Sequence, residues 1–193
     1  MIFHDDNIED WLRFQGIEKY ELRLNPTTFT YIVDVTGNVN LQNRGLTELP
    51  VHFGRVTGSF DISENNWISL KGLPTYINNN FYYNTSNAHS IFDVPILPPL
   101  CVNGSFSCKG VKSLHNIHKT FHHLIVRNGF DTNANSHFLG LLLIPGISNV
   151  SNFVFSSTQI EIIINKYLEQ DYRDIHACQE ELIQAGFAEY AKL

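Results

Sequence analysis

Apolar positions recur from Val39 onward with a period of about 21 residues. Val39, Leu41, Leu46, Leu49 and Val56 are matched by Phe60, Ile62, Trp67, Leu70 and Ile77, and the phase restarts at Phe81 with Tyr83, Ala88 and Ile91. Pro74 recurs as Pro95 at the same offset. A period of about 20 to 29 residues is the range of leucine-rich repeats, units that bury an apolar face only by stacking on one another. Residues two apart on a strand share one side of the pleat. The pairs Val39/Leu41, Phe60/Ile62, Phe81/Tyr83, Phe106/Cys108, Leu124/Val126 and Phe153/Phe155 are therefore expected to point inward, one pair per coil. The later intervals, Phe81 to Phe106, Phe106 to Leu124 and Leu124 to Phe153, are unequal and imply inserted or shortened returns, with Ile96 to Pro99 as one insertion. The segment Phe138 to Ile147 is too short to span a bilayer and reads as a buried return or helix, its Pro145 echoing Pro74 and Pro95.

The flanks have a different periodicity. Asn7 to Gln15 predicts a short helix, capped by Asn7, with Ile8, Trp11 and Leu12 on one face and Gly16 at its stop. The alternations Tyr20, Leu22, Leu24 and Phe29, Tyr31, Val33, Val35 predict a hairpin around Asn25-Pro26-Thr27-Thr28. At the other end, Gln159 to Leu168 and Asp171 to Ala185 read as helices, with Gly186 as a stop. Such elements suit the ends of a solenoid, which otherwise expose an apolar face and unpaired strand edges. The expectation is one α+β domain: a short leucine-rich-repeat-like solenoid of parallel strands over 37–158, an N-terminal helix-hairpin cap over 1–36 and a C-terminal helical cap over 159–193.

Composition narrows the function classes. The formal charge of -6 is spread over 17% charged residues without a basic patch, which disfavours nucleic acid as a partner. Neither a long apolar run nor a positively charged secretory start is present, since Asp5, Asp6, Glu9 and Asp10 stand where that charge would be, so no membrane association and a cytoplasmic location are expected. Cys101, Cys108 and Cys178 form no C-x-x-C spacing and predict free thiols. Asparagine is over-used, at 20 of 193 residues, many in runs between the apolar steps such as Asn65-Asn66 and Asn78-Asn79-Asn80. Its side chain bonds exposed backbone at tight turns and tolerates left-handed conformations, which suits a coil of short strands and bends.

Several strings carry a family resemblance: Val33-Asp34-Val35 before Gly37-Asn38-Val39-Asn40-Leu41, then Leu46-Thr47-Glu48-Leu49-Pro50 and Gly58-Ser59-Phe60-Asp61-Ile62-Ser63-Glu64-Asn65-Asn66. The stretch Val33 to Pro74 resembles a group of Asn-rich, leucine-rich-repeat-like proteins, largely uncharacterised products of bacteriophages and bacteria. Asn165-Lys166-Tyr167-Leu168 and Cys178-Gln179-Glu180-Glu181-Leu182-Ile183 through Glu189-Tyr190-Ala191 are similar to that group's C-terminal cap. Thr85-Ser86-Asn87-Ala88-His89 departs from its Asn-Asn-x-Leu-x-Ser pattern. The resemblance implies an architecture and a phage or bacterial setting, and brings no catalytic motif with it.

Chemistry-bearing residues are sparse. On a helix His115, His118 and His122 would share a face suited to Zn²⁺, with His123 beside them, but a strand beginning at Leu124 breaks that helix. His118-Lys119-Thr120-Phe121 partly matches one half of a two-histidine phosphoesterase signature, whose second half would have to be His89-Ser90-Ile91 without the spacer before its serine. No phosphate-cradling glycine run occurs. Cys108, on an inward step, reads as a small packed hydrophobe. No cofactor, no metal ligand set and no catalytic residue are therefore assigned. What remains is surface. Residues between the inward pairs form an outward ladder, Asn40, Asp61, Tyr82, Ser107, Ile125 and Val154, flanked by Asn38, Ser59, Asn80, Ser105, His123 and Asn152 on one side and Gln42, Ser63, Asn84, Lys109, Arg127 and Ser156 on the other. Within it Asn40, Asp61, Tyr82, Asn84, Ser107, Lys109, His123 and Arg127 are the candidate binding residues, and another protein is the expected partner. The sequence thus points to a non-enzymatic binding module, against a metal-dependent or ligand-sequestering protein built on His115 to His123 and a structural virion component.

Overall fold

The computed structural model of the chain describes residues 5–86, 99–134, 137–148, 150–151 and 158–193. The chain winds as a β-solenoid of about five turns, with helices at both ends. Its elements are α1 (Asp5–Phe14), β1 (Tyr20–Leu24), β2 (Tyr31–Val35), β3 (Val39–Asn40), β4 (His52–Val56), β5 (Phe60–Asp61), β6 (Tyr76–Ile77), β7 (Phe81–Tyr82), β8 (Leu100–Val102), β9 (Ser105–Cys108), α2 (Ile117–Thr120), β10 (Leu124–Val126), β11 (Gly129–Thr132), a 3-10 helix (Phe138–Leu143), β12 (Gly146–Ile147), β13 (Val150–Ser151), α3 (Thr158–Leu168) and α4 (Ile175–Gln184).

Each coil carries two strands rather than the single strand expected. One sheet runs β1-β2-β4-β6-β8-β10-β12 and the other β13-β11-β9-β7-β5-β3. All pairings are parallel except β1 with β2. The apolar step at Val56 and Ile77 is the inward residue of the first sheet, while Phe60 and Phe81 serve the second. The expected pair Leu124/Val126 consequently changes place: it pairs with Leu100 and Val102 in the first sheet, and Phe130 and Thr132 take the position beside Phe106 and Cys108. The coil from Phe106 to Phe130 is longer than the one from Phe60 to Phe81. Pro99, not Pro95, stands on the step after Pro74, because Ile77 pairs with Val102. Ala88, Ile91, Pro95, Phe153, Phe155 and most of the insertion Ile96 to Pro99 lie outside the described residues.

The core is a column of aromatic rings between the sheets. Phe60, Phe81, Phe106 and Phe130 are fully buried. Successive ring centroids lie 6.1, 4.5 and 5.0 Å apart, and Phe53 meets Phe60 at 5.1 Å. These are tilted and edge-on contacts, the arrangements favoured by the ring quadrupole.

The corner between the two strands of a coil explains part of the Asn and Gly usage. Gly58 N donates to Gly37 O at 2.9 Å, Asn79 N to Gly58 O at 3.1 Å, and Gly104 N to Asn79 O at 2.9 Å. Asn38 Oδ1 accepts from Ser59 N at 2.8 Å, and Asn80 Oδ1 from Ser105 N at 2.9 Å, one coil on. A Cβ at Gly58 would run into Asn38 Oδ1 and the Gly37 carbonyl; one at Gly104 would meet Asn80 Oδ1 and the Asn79 carbonyl. Stacked backbones at this corner leave no room for a side chain.

The ends follow their predicted pattern with shifted borders. Asn7 lies inside α1, not at its cap, and Ile8 and Leu12 are buried with Trp11 against Phe53 at 6.4 Å. Gly16, at φ 76°, ends the helix, with Ile17 N bonding Leu12 O and Gly16 N bonding Arg13 O. In the hairpin, Asn25 Oδ1 accepts from Thr27 N at 2.9 Å; Phe29, expected on a strand, sits in the turn at φ 53° and is exposed. The second strand of the hairpin is also the first rung of the parallel sheet. At the other end, α4 starts at Ile175 rather than Asp171, because Asp174 caps it by accepting from Ala177 N at 2.9 Å. Gly186 at φ 87° terminates it.

Candidate functional site

The register of the second sheet sets its outward row as Asn40, Asp61, Tyr82, Ser107 and Asp131. Asn40 and Asp61 repeat one device: each carboxyl or amide oxygen accepts from the backbone N–H two residues on, at Gln42 and Ser63. Tyr82 is half-buried, and its hydroxyl accepts from Asn80 Nδ2 at 2.8 Å. Ile125, expected in this row, belongs to the other sheet, and Asp131 occupies its place. Val154, with Asn152 and Ser156 beside it, lies outside the described residues.

At one end of the row the side chains lock together. Asn84 Oδ1 accepts from Lys109 N at 2.9 Å and from Ser107 Oγ at 2.9 Å. Lys109 Nζ lies 2.8 Å from Asp131 Oδ2, and Ser107 Oγ lies 3.4 Å from the same oxygen. A hydroxyl has one hydrogen to donate, so Ser107 serves Asn84, at the shorter distance, and Lys109 holds Asp131. Asp131 Oδ1 is buried and unbonded among the described residues. The charge of Lys109 is thus paired with a carboxylate that counting one strand per coil leaves off this face. Underneath, the Cys108 thiol is fully buried; burial, and secondarily Asp131, push its pKa far up, so it is no nucleophile.

His123 and Arg127 leave this face. Both flank β10, which lies in the first sheet. Arg127 Nε donates to Asn103 Oδ1 at 3.0 Å, one coil back. His123 packs its ring 3.8 Å from His122, and both line a shallow hollow with Pro99, Leu124, Ile125 and Pro145. The structure therefore brings together Asn84, Ser107 and Lys109, keeps Asn40, Asp61 and Tyr82 in line with them, and separates His123 and Arg127.

The histidine segment does not form one helix. α2 covers only Ile117–Thr120, so His115, His122 and His123 fall outside it. His115 instead meets His137, with ring centroids 5.0 Å apart, and His137 Nδ1 shares a hydrogen bond of 2.7 Å with Ser113 Oγ. Among the described residues no group of three or more His, Cys, Asp or Glu is placed to hold a metal ion. Thr120 is fully buried, which removes it from any phosphoesterase pair with His118, and the other half, His89 to Ile91, lies outside the described residues.

Among the described residues no helix is long and apolar enough to cross a membrane. Comparison with protein-family models, with curated proteins and with solved structures finds no match.

Proposed function

We propose that the chain is a non-enzymatic module that binds another protein through the outward face of the second sheet. The observation that carries this reading is the built character of that face. Asn84, Ser107, Lys109 and Asp131 are fixed by mutual bonds, and Tyr82 is an aromatic side chain tied at its hydroxyl and still partly open to solvent. Polar groups already held in place lose little further freedom on binding, and a partly exposed tyrosine is a favoured anchor at protein interfaces. A cytoplasmic site of action rests on the composition, a phage or bacterial origin on the resemblance of Val33 to Pro74, and a host or defence protein as target on analogy with small phage proteins alone. Affinity purification from cells expressing the chain, followed by mass spectrometry, tests the reading. A stoichiometric partner protein is expected with the native chain and is expected to be lost with Tyr82→Ala, while the melting temperature stays within a few degrees, as for a surface change. Retention of the partner by Tyr82→Ala together with a Lys109→Glu variant would remove this face from consideration.

A further inference from the structure

The ends of the solenoid are finished differently. α3 packs on β13 and on the 3-10 helix, closing the C-terminal end. At the other end, β1 is the terminal strand of its sheet, and among the described residues β2 is the only strand hydrogen-bonded to it. Its outer edge is five residues long and contains no proline. Such an edge is a template for another strand.

Which groups that edge offers follows from the hairpin. Thr36 N donates to Lys19 O at 2.8 Å and Asn25 N to Thr30 O at 2.9 Å, so hydrogen-bonded pairs stand at both ends of the register Tyr20↔Val35 to Leu24↔Tyr31. Antiparallel pairs alternate, which makes Glu21↔Asp34 and Arg23↔Ile32 hydrogen-bonded and turns the N–H and C=O groups of Tyr20, Leu22 and Leu24 away from β2. The side chains divide by face. Tyr20 and Leu22 pack against the core and Leu24, half exposed, continues their row; Glu21 and Arg23 stand in solvent on the opposite face, where Arg23 pairs with Asp34.

We propose that β1 is a self-recognition edge through which two copies of the chain form a twofold dimer, joining their first sheets into one. Placing Leu22 opposite Leu22 of the second copy matches the three outward-facing residues to one another and supplies about six main-chain hydrogen bonds. That register sets Glu21 opposite Arg23 of the second copy, twice, at non-hydrogen-bonded positions where side chains lie closest. On the core-side face it sets Leu22 on Leu22 and Tyr20 on Leu24, covering the half-exposed leucine. The neighbouring twofold registers place Glu21 on Glu21 or Arg23 on Arg23, so the charges both permit the dimer and select its register. The inference is independent of the binding face on the second sheet.

Sedimentation velocity of the full chain over a concentration series tests it. The native chain is expected to dimerise reversibly. Glu21→Arg, an exposed change, should weaken the dimer about tenfold or more, because two attractive cross-strand pairs become repulsive. Leu22→Pro should abolish it, since that N–H makes no bond among the described residues and the ring blocks a second strand. Glu21→Arg chains mixed with Arg23→Glu chains should recover association, as each carries the charge the other lacks. Circular dichroism melting of each variant separates lost pairing from lost fold. A chain that stays monomeric at every concentration overturns the proposal, as does a dimer whose affinity is unchanged in both Glu21→Arg and Leu22→Pro.

Discussion

Asparagine does different work at different depths. Asn38 is exposed and its one described bond steadies the next coil at the corner. Asn65 is buried, and its amide closes the bend behind the second sheet: Oδ1 accepts from Arg44 N at 2.9 Å and Leu46 N at 3.0 Å, while Nδ2 reaches the carbonyls of Leu41, Ile62 and Ser63 at 2.7, 3.1 and 3.1 Å. Removing it strands backbone donors and acceptors away from water, whereas Asn38 leaves groups that solvent can reach. Asn65→Ala should therefore cost about 3 kcal/mol or more and Asn38→Ala about 1 kcal/mol or less. Urea unfolding with an unchanged slope measures both, and equal costs would refute the division by depth. The over-use of Asn was legible in the sequence, and so was its fit to bends. The depth of each residue was not, because Asn65 and Asn66 are chemically identical neighbours of which only the first turns inward.

The strands show where a correct period still misplaces a site. Counting one strand per coil works while every coil keeps the length of the first, Val39 to Phe60, since either sheet then gives the same phase. Once coil length changes, Leu124/Val126 and Phe130/Thr132 both alternate, and the interval alone does not choose between them, since Leu124 and Phe130 stand equally far from the 21-residue step after Phe106. The distinguishing signal was local. Val56 precedes Phe60, Ile77 precedes Phe81, Val102 precedes Phe106 and Val126 precedes Phe130 by the same four residues, the width of the corner joining the two sheets. Read that way, the sequence would have placed Asp131 beside Ser107 and moved His123 and Arg127 off the face. Arg173 had no such signal, lying between two helices with no motif. It donates to the carbonyls of Ile144 and Ile147 at 2.6 Å and Pro145 at 3.1 Å, binding the last coil to the C-terminal cap. These carbonyls follow the 3-10 helix, and that of Ile144 also accepts from Ile147 N at 3.1 Å, so the guanidinium adds charge-assisted bonds that tie the turn together. Arg173→Ala should cost about 2 kcal/mol and speed amide exchange in α3 and α4 more than in the first coils. Exchange accelerated uniformly along the chain would mean that Arg173 does not act as a local clamp.

At the scale of the whole molecule the separate titrating groups add to one pH dependence. Burial, helped by Lys119 and His115, lowers the pKa of His118; burial, then His115 and Lys192, lowers that of His137; burial, then Lys71, lowers that of His52. The unfolded chain protonates these rings near their ordinary value of 6.5, and the folded chain does so only at lower pH. Just below 6.5 the unfolded state therefore holds more protons, and stability must fall with falling pH. It is whole above 6.5 and declines until the folded rings are themselves charged. Asp34 adds a second, separate step. Burial pushes its carboxyl up, but the bonds from Arg23 and from Arg55 N, with the charges of both arginines, outweigh burial and hold it below its ordinary value of 3.8. Its contribution is intact above that value and is lost as pH falls through the lower folded value. Urea midpoints measured across pH should show a decline beginning near 6.5, a gentler stretch, then a second fall below 3.8. His118→Gln should flatten the first decline and leave the second untouched, while Asp34→Asn should do the reverse at some loss of stability at neutral pH. The first step draws on His52, on β4 beside the hairpin strand that holds Asp34, and on His118 and His137 in the later coils, so the titrating groups span the solenoid. Their appearance in one cooperative transition would show that the stacked coils unfold together, and two transitions would show that they do not.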